Sequence, residues 1–499
     1  MGRKESSQLK RVHRIESLQI QKIPQSGRPG YHMSSPVGWM NDPNGFSVFQ
    51  GEYHLFFQYH PYSGAWGPMH WGHCKTRDFI KWEYLPAAMA PDESYDEGGC
   101  YSGSALETED GRHVLIYTGV ADRYLEDGTH YYRQMQCMAV GDGRDYEKFE
   151  GNPVITGETL PEGASVEDFR DPKVWQDEEG CWLVVGNRAA DGSGQILLYK
   201  SKDLERWEFV TVLDRSENRY GKMWECPDFF PLDGRQILLV SPQDMRAEAL
   251  EFHNGNNSIY LAGTYDAKNH QFHREMVKSL DYGLDFYAPQ TLLTPDGRRI
   301  MIGWMQSWDA KIAPAELGWV GMMTIPRELH FENGRLYQRP VRELEAYRSG
   351  QVVFQNVTIR ESTELEGVRG RQIDLTVEIT GFDFEHFRIQ FASSGQYCMV
   401  LQYSTKRGCL TIDRTHSGLI RDVVCRRKME VRPMETEDQG RCLRLRLLLD
   451  KYSAEIFVND GESVMSSVFY TPQEADRILF DTDGTACIHV TKYDIAEEK

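Results

Sequence analysis

No apolar run in this chain approaches the length of a membrane span. The stretch from Met1 to Gly30 is polar and basic and lacks the apolar centre of a secretory signal, so a cytoplasmic protein is expected. Ten cysteines are scattered without a single Cys-x-x-Cys pair, which argues for buried free thiols rather than a disulfide framework or a zinc module. Positive charge is in deficit: 56 Lys and Arg stand against 75 Asp and Glu, a net charge of −19. That excludes a broad surface for nucleic acid or an anionic membrane and favours a neutral small-molecule substrate. Long helical periodicity is nearly absent as well.

What is present is β-structure. Aromatics make up 12% of the chain, enough for β-rich cores and for rings lining a sugar cleft. Short apolar runs such as Tyr53 to Phe57, Val114 to Tyr117, Trp182 to Val185 and Ile237 to Val240 alternate with Asp-Gly turns. Arg77-Asp78-Phe79-Ile80-Lys81-Trp82-Glu83 resembles Lys202-Asp203-Leu204-Glu205-Arg206-Trp207-Glu208, and Arg144 to Glu150 is a degenerate copy. A β-unit repeating roughly every 60 residues fits propeller blades with long loops, the alternative being a recurrent turn in an irregular sandwich.

The pattern changes near Arg339-Pro340. Val341 to Tyr347 reads as a short helical connector, after which Ile373 to Ile379 and Leu443 to Leu447 alternate strictly between apolar and polar. At 499 residues two domains are expected. The division is a polar N-terminal segment over 1–30, a β-propeller over 31–340, a linker over 341–350 and a β-sandwich over 351–499.

Three acidic segments carry the chemistry: Asn41-Asp42-Pro43, Phe169-Arg170-Asp171-Pro172 and Trp224-Glu225-Cys226-Pro227-Asp228. Each sets an acid beside a proline-restricted backbone, and Asn44-Gly45 after the first reads as a tight turn. Alone, each is an ordinary turn; together, they suit glycoside hydrolysis, in which one carboxylate attacks the anomeric carbon and another protonates the leaving oxygen. The attacking group must stay ionised, which amide donors such as Asn41 favour. The proton donor needs an environment that favours its neutral form, and Trp224 offers an apolar wall. Arg170 beside Asp171 is expected to keep that carboxylate charged.

With these motifs stand Phe57-Gln58-Tyr59-His60-Pro61, Trp66 to His73, Tyr101-Ser102-Gly103-Ser104, Asp285-Phe286-Tyr287-Ala288, Gly303 to Trp308 and Ala454 to Gly461. From about residue 30 to its end the chain resembles glycoside hydrolase family 32, the invertase, sucrose-6-phosphate hydrolase and fructanase group. The resemblance implies an all-β fold, a five-bladed β-propeller followed by a C-terminal β-sandwich. It implies a retaining, exo-acting β-fructofuranosidase with Asp42 as nucleophile, Glu225 as general acid/base and Asp171 as stabiliser of the transition state. Trp39, Met40, Asn41, Gln58, Trp66, Tyr101, Ser102, Arg170 and Trp308 are the implied sugar-binding residues. No metal and no organic cofactor is implied, and the partner is a small sugar met by a monomer or homodimer. Two alternatives share the site: a fructosyltransferase, and a carbohydrate-binding homologue without catalysis.

Other features have plainer readings. His70-x-x-His73 lacks further ligands at metal-site spacing, so strand or pocket-wall histidines are expected. Gly141-Asp142-Gly143 and Gly192-Ser193-Gly194 open no helix after a strand, so they read as hairpin turns.

Overall fold

The structure is a computed structural model that describes residues 6–309, 313–418, 423–437 and 440–496. Five antiparallel sheets follow one another along the chain, each opening on a strand that leads the sheet: Gly38–Phe49, Gly99–Glu107, Phe169–Asp177, Trp224–Leu232 and Tyr287–Leu293. These leading strands touch one another in cyclic order, and the fifth touches the first. The short strand Trp319–Val320 leaves the region of the fifth sheet and pairs in parallel with Gly38 and Trp39 of the first, tying the end of the set to its beginning.

The repeated turn has a structural meaning. Asp78 and Asp203 lie between the third and fourth strands of the first and third sheets. Each carboxylate accepts hydrogen bonds from the two backbone N–H groups that follow the next residue. That next residue, Phe79 or Leu204, takes a positive φ. In the second sheet Asp142, not Asp145, fills this role. Asp266 does the same in the fourth sheet, accepting from Lys268 and Asn269. That copy escaped the sequence comparison because only its Asp is retained.

Asp42-Pro43 and its counterparts are not turns. Residues 38–49 form one continuous strand, and the local irregularity is a β-bulge. All five leading strands carry such a bulge near their start, with one more residue than the partner strand. The bulged segments contain Asp42, Ser102, Asp171, Cys226 and Ala288. Proline follows in four of them, as Pro43, Pro172, Pro227 and Pro289. At the bulge a leading strand is paired on one side only, since Trp319–Val320 reaches just Gly38 and Trp39 of the first, and a bulge interrupts the ladder, so a missing N–H is tolerated there. Asp171, Cys226 and Ala288 adopt positive φ values of 67°, 48° and 51°. These conformations are uncommon for residues with a Cβ and cost about 1 kcal/mol or more each.

The region after residue 347 has two sheets. One is ordered Arg348–Ile359, Thr485–Ile495, Ile373–Asp383, Arg441–Asp450, Ser453–Val458 and Ser463–Val468. The other contains His386–Ser393, Cys398–Ser404, Cys409–His416, Arg426–Glu430 and Arg477–Thr482. A shared core of Leu375, Val377, Ile389, Leu401, Leu445 and Phe480 lies between them. The predicted alternation at Leu443 to Leu447 holds, with the leucines buried and the arginines half-buried. The connector is a 3₁₀ helix, Arg342–Tyr347.

One element was not anticipated. Ser7–Gln19 form an α-helix, α1, whose start is capped by the Ser6 side chain accepting from the Leu9 N–H. It packs on the strand Glu83–Met89. Its buried face is Val12 and Glu16, while Leu18 is exposed, so the apolar pattern that would betray a helix is scrambled. Glu16 accepts from the Ala87 N–H, and burial pushes its carboxyl up to about 7.

The two regions meet across buried charge. His32 sits between Asp450 at 2.8 Å and Glu455 at 2.9 Å. Arg327 contacts Glu455 at 2.5 Å and Asp281 at 3.1 Å. Arg414 contacts Asp285 at 2.5 Å. All these side chains are inaccessible to solvent.

Candidate active site

The bulges of the first four sheets face one cavity of about 490 Å³. Asp42, Asp171 and Glu225 line it together with Asn41, Gln58, Trp66, Tyr101, Ser102, Arg170 and Trp308, so most of the expected residues converge. Tyr132, Gln134, Glu167, Asp168 and Gln243 join them and were not anticipated. Trp39 and Met40 do not line the cavity. The Met40 side chain is fully buried in the core beneath the first sheet. Trp39 is buried against Trp304, stacks on Trp308 of the cavity wall and donates through Nε1 to Asn41 Oδ1 at 2.8 Å, so it acts on the cleft by backing Asn41 and Trp308.

A thiol links the acids. Cys226 Sγ lies 3.6 Å from Asp42 Oδ2 and 3.6 Å from Asp171 Oδ2. The Cys226 N–H donates to Asp171 Oδ2 at 3.0 Å. The bulge lets the backbone and side chain of one residue meet the same carboxylate. Burial, with Asp171 and Asp42 nearby, pushes the Cys226 thiol well up, so it stays a proton-bearing donor.

Asp42 also accepts from Ser102 Oγ at 2.8 Å on Oδ2, while Oδ1 is buried without a hydrogen-bond partner. Burial first and the Glu225 charge second raise the Asp42 carboxyl to about 6, against the pull of Ser102, Asn41 and Cys226. Burial raises Asp171 to about 7, with Arg170 opposing and Glu225 and Asp42 adding to the rise. Arg170 favours the ionised form of Asp171, as expected, but burial outweighs it. The guanidinium is engaged elsewhere, donating to Glu225 Oε1 at 2.9 and 3.0 Å and to Asp168 Oδ1 at 2.9 Å.

The expected apolar wall of Trp224 is also absent from Glu225. Successive residues on a strand point to opposite faces, and Trp224 packs into the core with Nε1 donating to Tyr220 O at 2.6 Å. Glu225 is held instead by Arg170 and by Tyr287, whose hydroxyl donates to Oε2 at 2.6 Å. Burial and the Glu225 charge push the Tyr287 phenol well up, so it remains a donor. The tetrapeptide around Tyr287 was visible in the sequence, but nothing local marked its ring as reaching a carboxylate 62 residues away.

His70 and His73 part company, three positions apart on the strand His70–Thr76 and so on opposite faces. His70 bonds to Pro68 O, whereas His73 contacts His54 at 3.0 Å in a buried group.

Residues 32–340 match the family model of the glycosyl hydrolases family 32 N-terminal domain, and residues 343–497 match that of the family's C-terminal domain. The chain belongs to glycosyl hydrolases family 32. It is a glycoside hydrolase by that membership. Among curated relatives it is 38% identical over 464 residues to a sucrose-6-phosphate hydrolase of Escherichia coli, covering 92% of this chain and 93% of that one. It is equally 38% identical over 462 residues to a raffinose invertase of Escherichia coli, with the same coverage of 92% and 93%. Among solved structures, a β-fructofuranosidase of Bombyx mori superposes with a TM-score of 0.84 at 32% identity, covering 99% of both chains.

Proposed function

We propose that this family 32 member is a retaining, exo-acting β-fructofuranosidase that hydrolyses terminal non-reducing β-fructofuranosides by double displacement. The observation that carries the proposal is the convergence of Asp42, Asp171 and Glu225, from three different sheets, on one cavity in which Cys226 links two of them. Asp42 is the nucleophile. Its carboxylate is held in place through Oδ2 by Ser102 and Cys226. Glu225 gives a proton to the leaving oxygen, then takes one from the water that resolves the fructosyl-enzyme. Arg170 and Tyr287 orient it, Arg170 on Oε1 and Tyr287 on Oε2. Asp171 holds sugar hydroxyls with its free lone pairs, and the aromatic rim supplies ring faces for the sugar.

The five sheets in cyclic contact support a five-bladed propeller, with the catalytic domain over 31–340, a linker over 341–350 and a β-sandwich over 351–499. A cytoplasmic setting is supported by ten free cysteines, which suit a reducing compartment. No helix among the described residues is long and apolar enough to cross a membrane. The test is the stereochemistry of transfer from sucrose to methanol. Methyl β-fructofuranoside is the expected first product by NMR, and the α anomer would rule out a covalent intermediate formed by one carboxylate.

A further inference from the structure

The comparisons leave the leaving group open, since a sucrose-6-phosphate hydrolase and a raffinose invertase are equally similar to this chain. The charge of the cleft separates them. Five carboxylates line it, those of Asp42, Glu167, Asp168, Asp171 and Glu225. Among the described residues Arg170 is the only lysine or arginine in that lining. Its guanidinium is already engaged by Glu225 and Asp168. Arg188, just outside, is drawn onto Asp168 Oδ2 at 2.5 Å. Glu167 stands exposed at the rim, and the whole chain carries −19.

We infer that this cleft selects an uncharged sugar as leaving group and disfavours one that bears a phosphate. The inference rests on the β-fructofuranosidase reading and narrows its substrate class. A phosphate dianion entering here gives up water for a surface of its own sign, with no uncommitted cation among the described lining residues to compensate. A neutral hexose gives up less and gains ring faces and hydroxyl partners. Trp66 is 47% exposed at the rim, and Tyr101, Tyr132 and Trp308 lie in the same wall. Glu167 becomes a specificity-determining residue by its charge alone.

The experiment measures kcat/KM of the full chain for sucrose, raffinose and sucrose phosphorylated on the glucosyl 6-hydroxyl, at low and at raised salt. Sucrose is expected to exceed its phosphate by about tenfold or more at low salt, with the gap narrowing as salt screens the cleft. Equal or faster cleavage of the phosphate overturns the inference while leaving the fructosidase reading intact. Cleavage of none of the three overturns both. Glu167→Lys should raise the phosphate-to-sucrose ratio about three- to tenfold at low salt, the scale of reversing one charge near a dianion in water. An unmoved ratio would remove electrostatics as the cause.

Discussion

Two clusters of acids in this molecule differ in how fully their charges are paired. At the junction of the two regions, His32, Arg327 and Arg414 face Asp281, Asp285, Asp450 and Glu455, and every one of these groups has an opposite partner within about 3 Å. There His32 and Arg327 outweigh burial and hold Asp450 and Glu455 below their ordinary range, while burial still lifts Asp281 and Asp285. In the cleft, five carboxylates meet, among the described residues, only Arg170 in the lining and Arg188 just outside it, and burial lifts Asp42 and Asp171. Paired charge joins the two regions, whereas the under-neutralised cleft keeps carboxylates available to a substrate.

The sharpest way to break this contrast is to remove one acid from each cluster. Asp42→Asn should cost about ten-thousandfold or more in kcat for sucrose, while the melting temperature does not fall, because a crowded buried charge has been deleted. A clear drop in melting temperature would mean that Asp42 is structural. Glu455→Gln should do the reverse, lowering unfolding free energy in denaturant by about 3–5 kcal/mol because His32 and Arg327 lose a shared counter-charge.

Tyr287→Phe ranks next. It deletes the donor to Glu225 Oε2 without emptying space, and should lower kcat about tenfold to a hundredfold. The loss should be largest for fructosides with poor leaving groups, and an equal loss across leaving groups would count against the assignment. Titration then separates the clusters by pH. The acid limb of kcat/KM should fall near pH 6, where Asp42 loses its charge, and Ser102→Ala should move that limb upward by removing a donor to the carboxylate. His32 behaves oppositely. Burial works against its charge, but Asp450 and Glu455 outweigh it and raise the imidazole from 6.5 to about 9. The stability it contributes is full below pH 6.5 and is lost as pH rises through about 9, so chemical denaturation should show a decline over that window. The smallest effect belongs to the rim. Trp66→Ala should raise KM about three- to tenfold with kcat little changed, the worth of one exposed ring face.

Much of this was legible in the sequence. The three acids announced themselves because each precedes or nearly precedes a proline and has an aromatic residue one to three positions before it. The alternation after residue 372 gave the second region directly. What stayed hidden depends on contacts across sheets. Arg170 is adjacent to Asp171 in sequence, yet its guanidinium reaches Glu225, 55 residues away. Trp224 is adjacent to Glu225 and faces the other way. Helix α1 was invisible because a glutamate occupies its buried face. Asn44-Gly45 looked like a hairpin because turn chemistry and bulge chemistry draw on the same residues. Gly45 takes a φ of 52° inside a strand, with the Phe56 ring 2.5 Å from where a Cβ would stand.

The extra residue in each leading strand has a consequence for how this protein can change. In a regular strand, in-and-out alternation runs unbroken, so a side chain near the mouth is locked to the parity of the core below it. Each slip resets that count. Substitutions that repack the interior behind Pro43, Pro172 or Pro227 therefore leave the aim of Asp42, Asp171 and Glu225 untouched. Deleting the one surplus residue would instead turn an acid away from the sugar while the interior still packs. The site and the scaffold are thus separately mutable, joined by the unpaired residues at the starts of the leading strands.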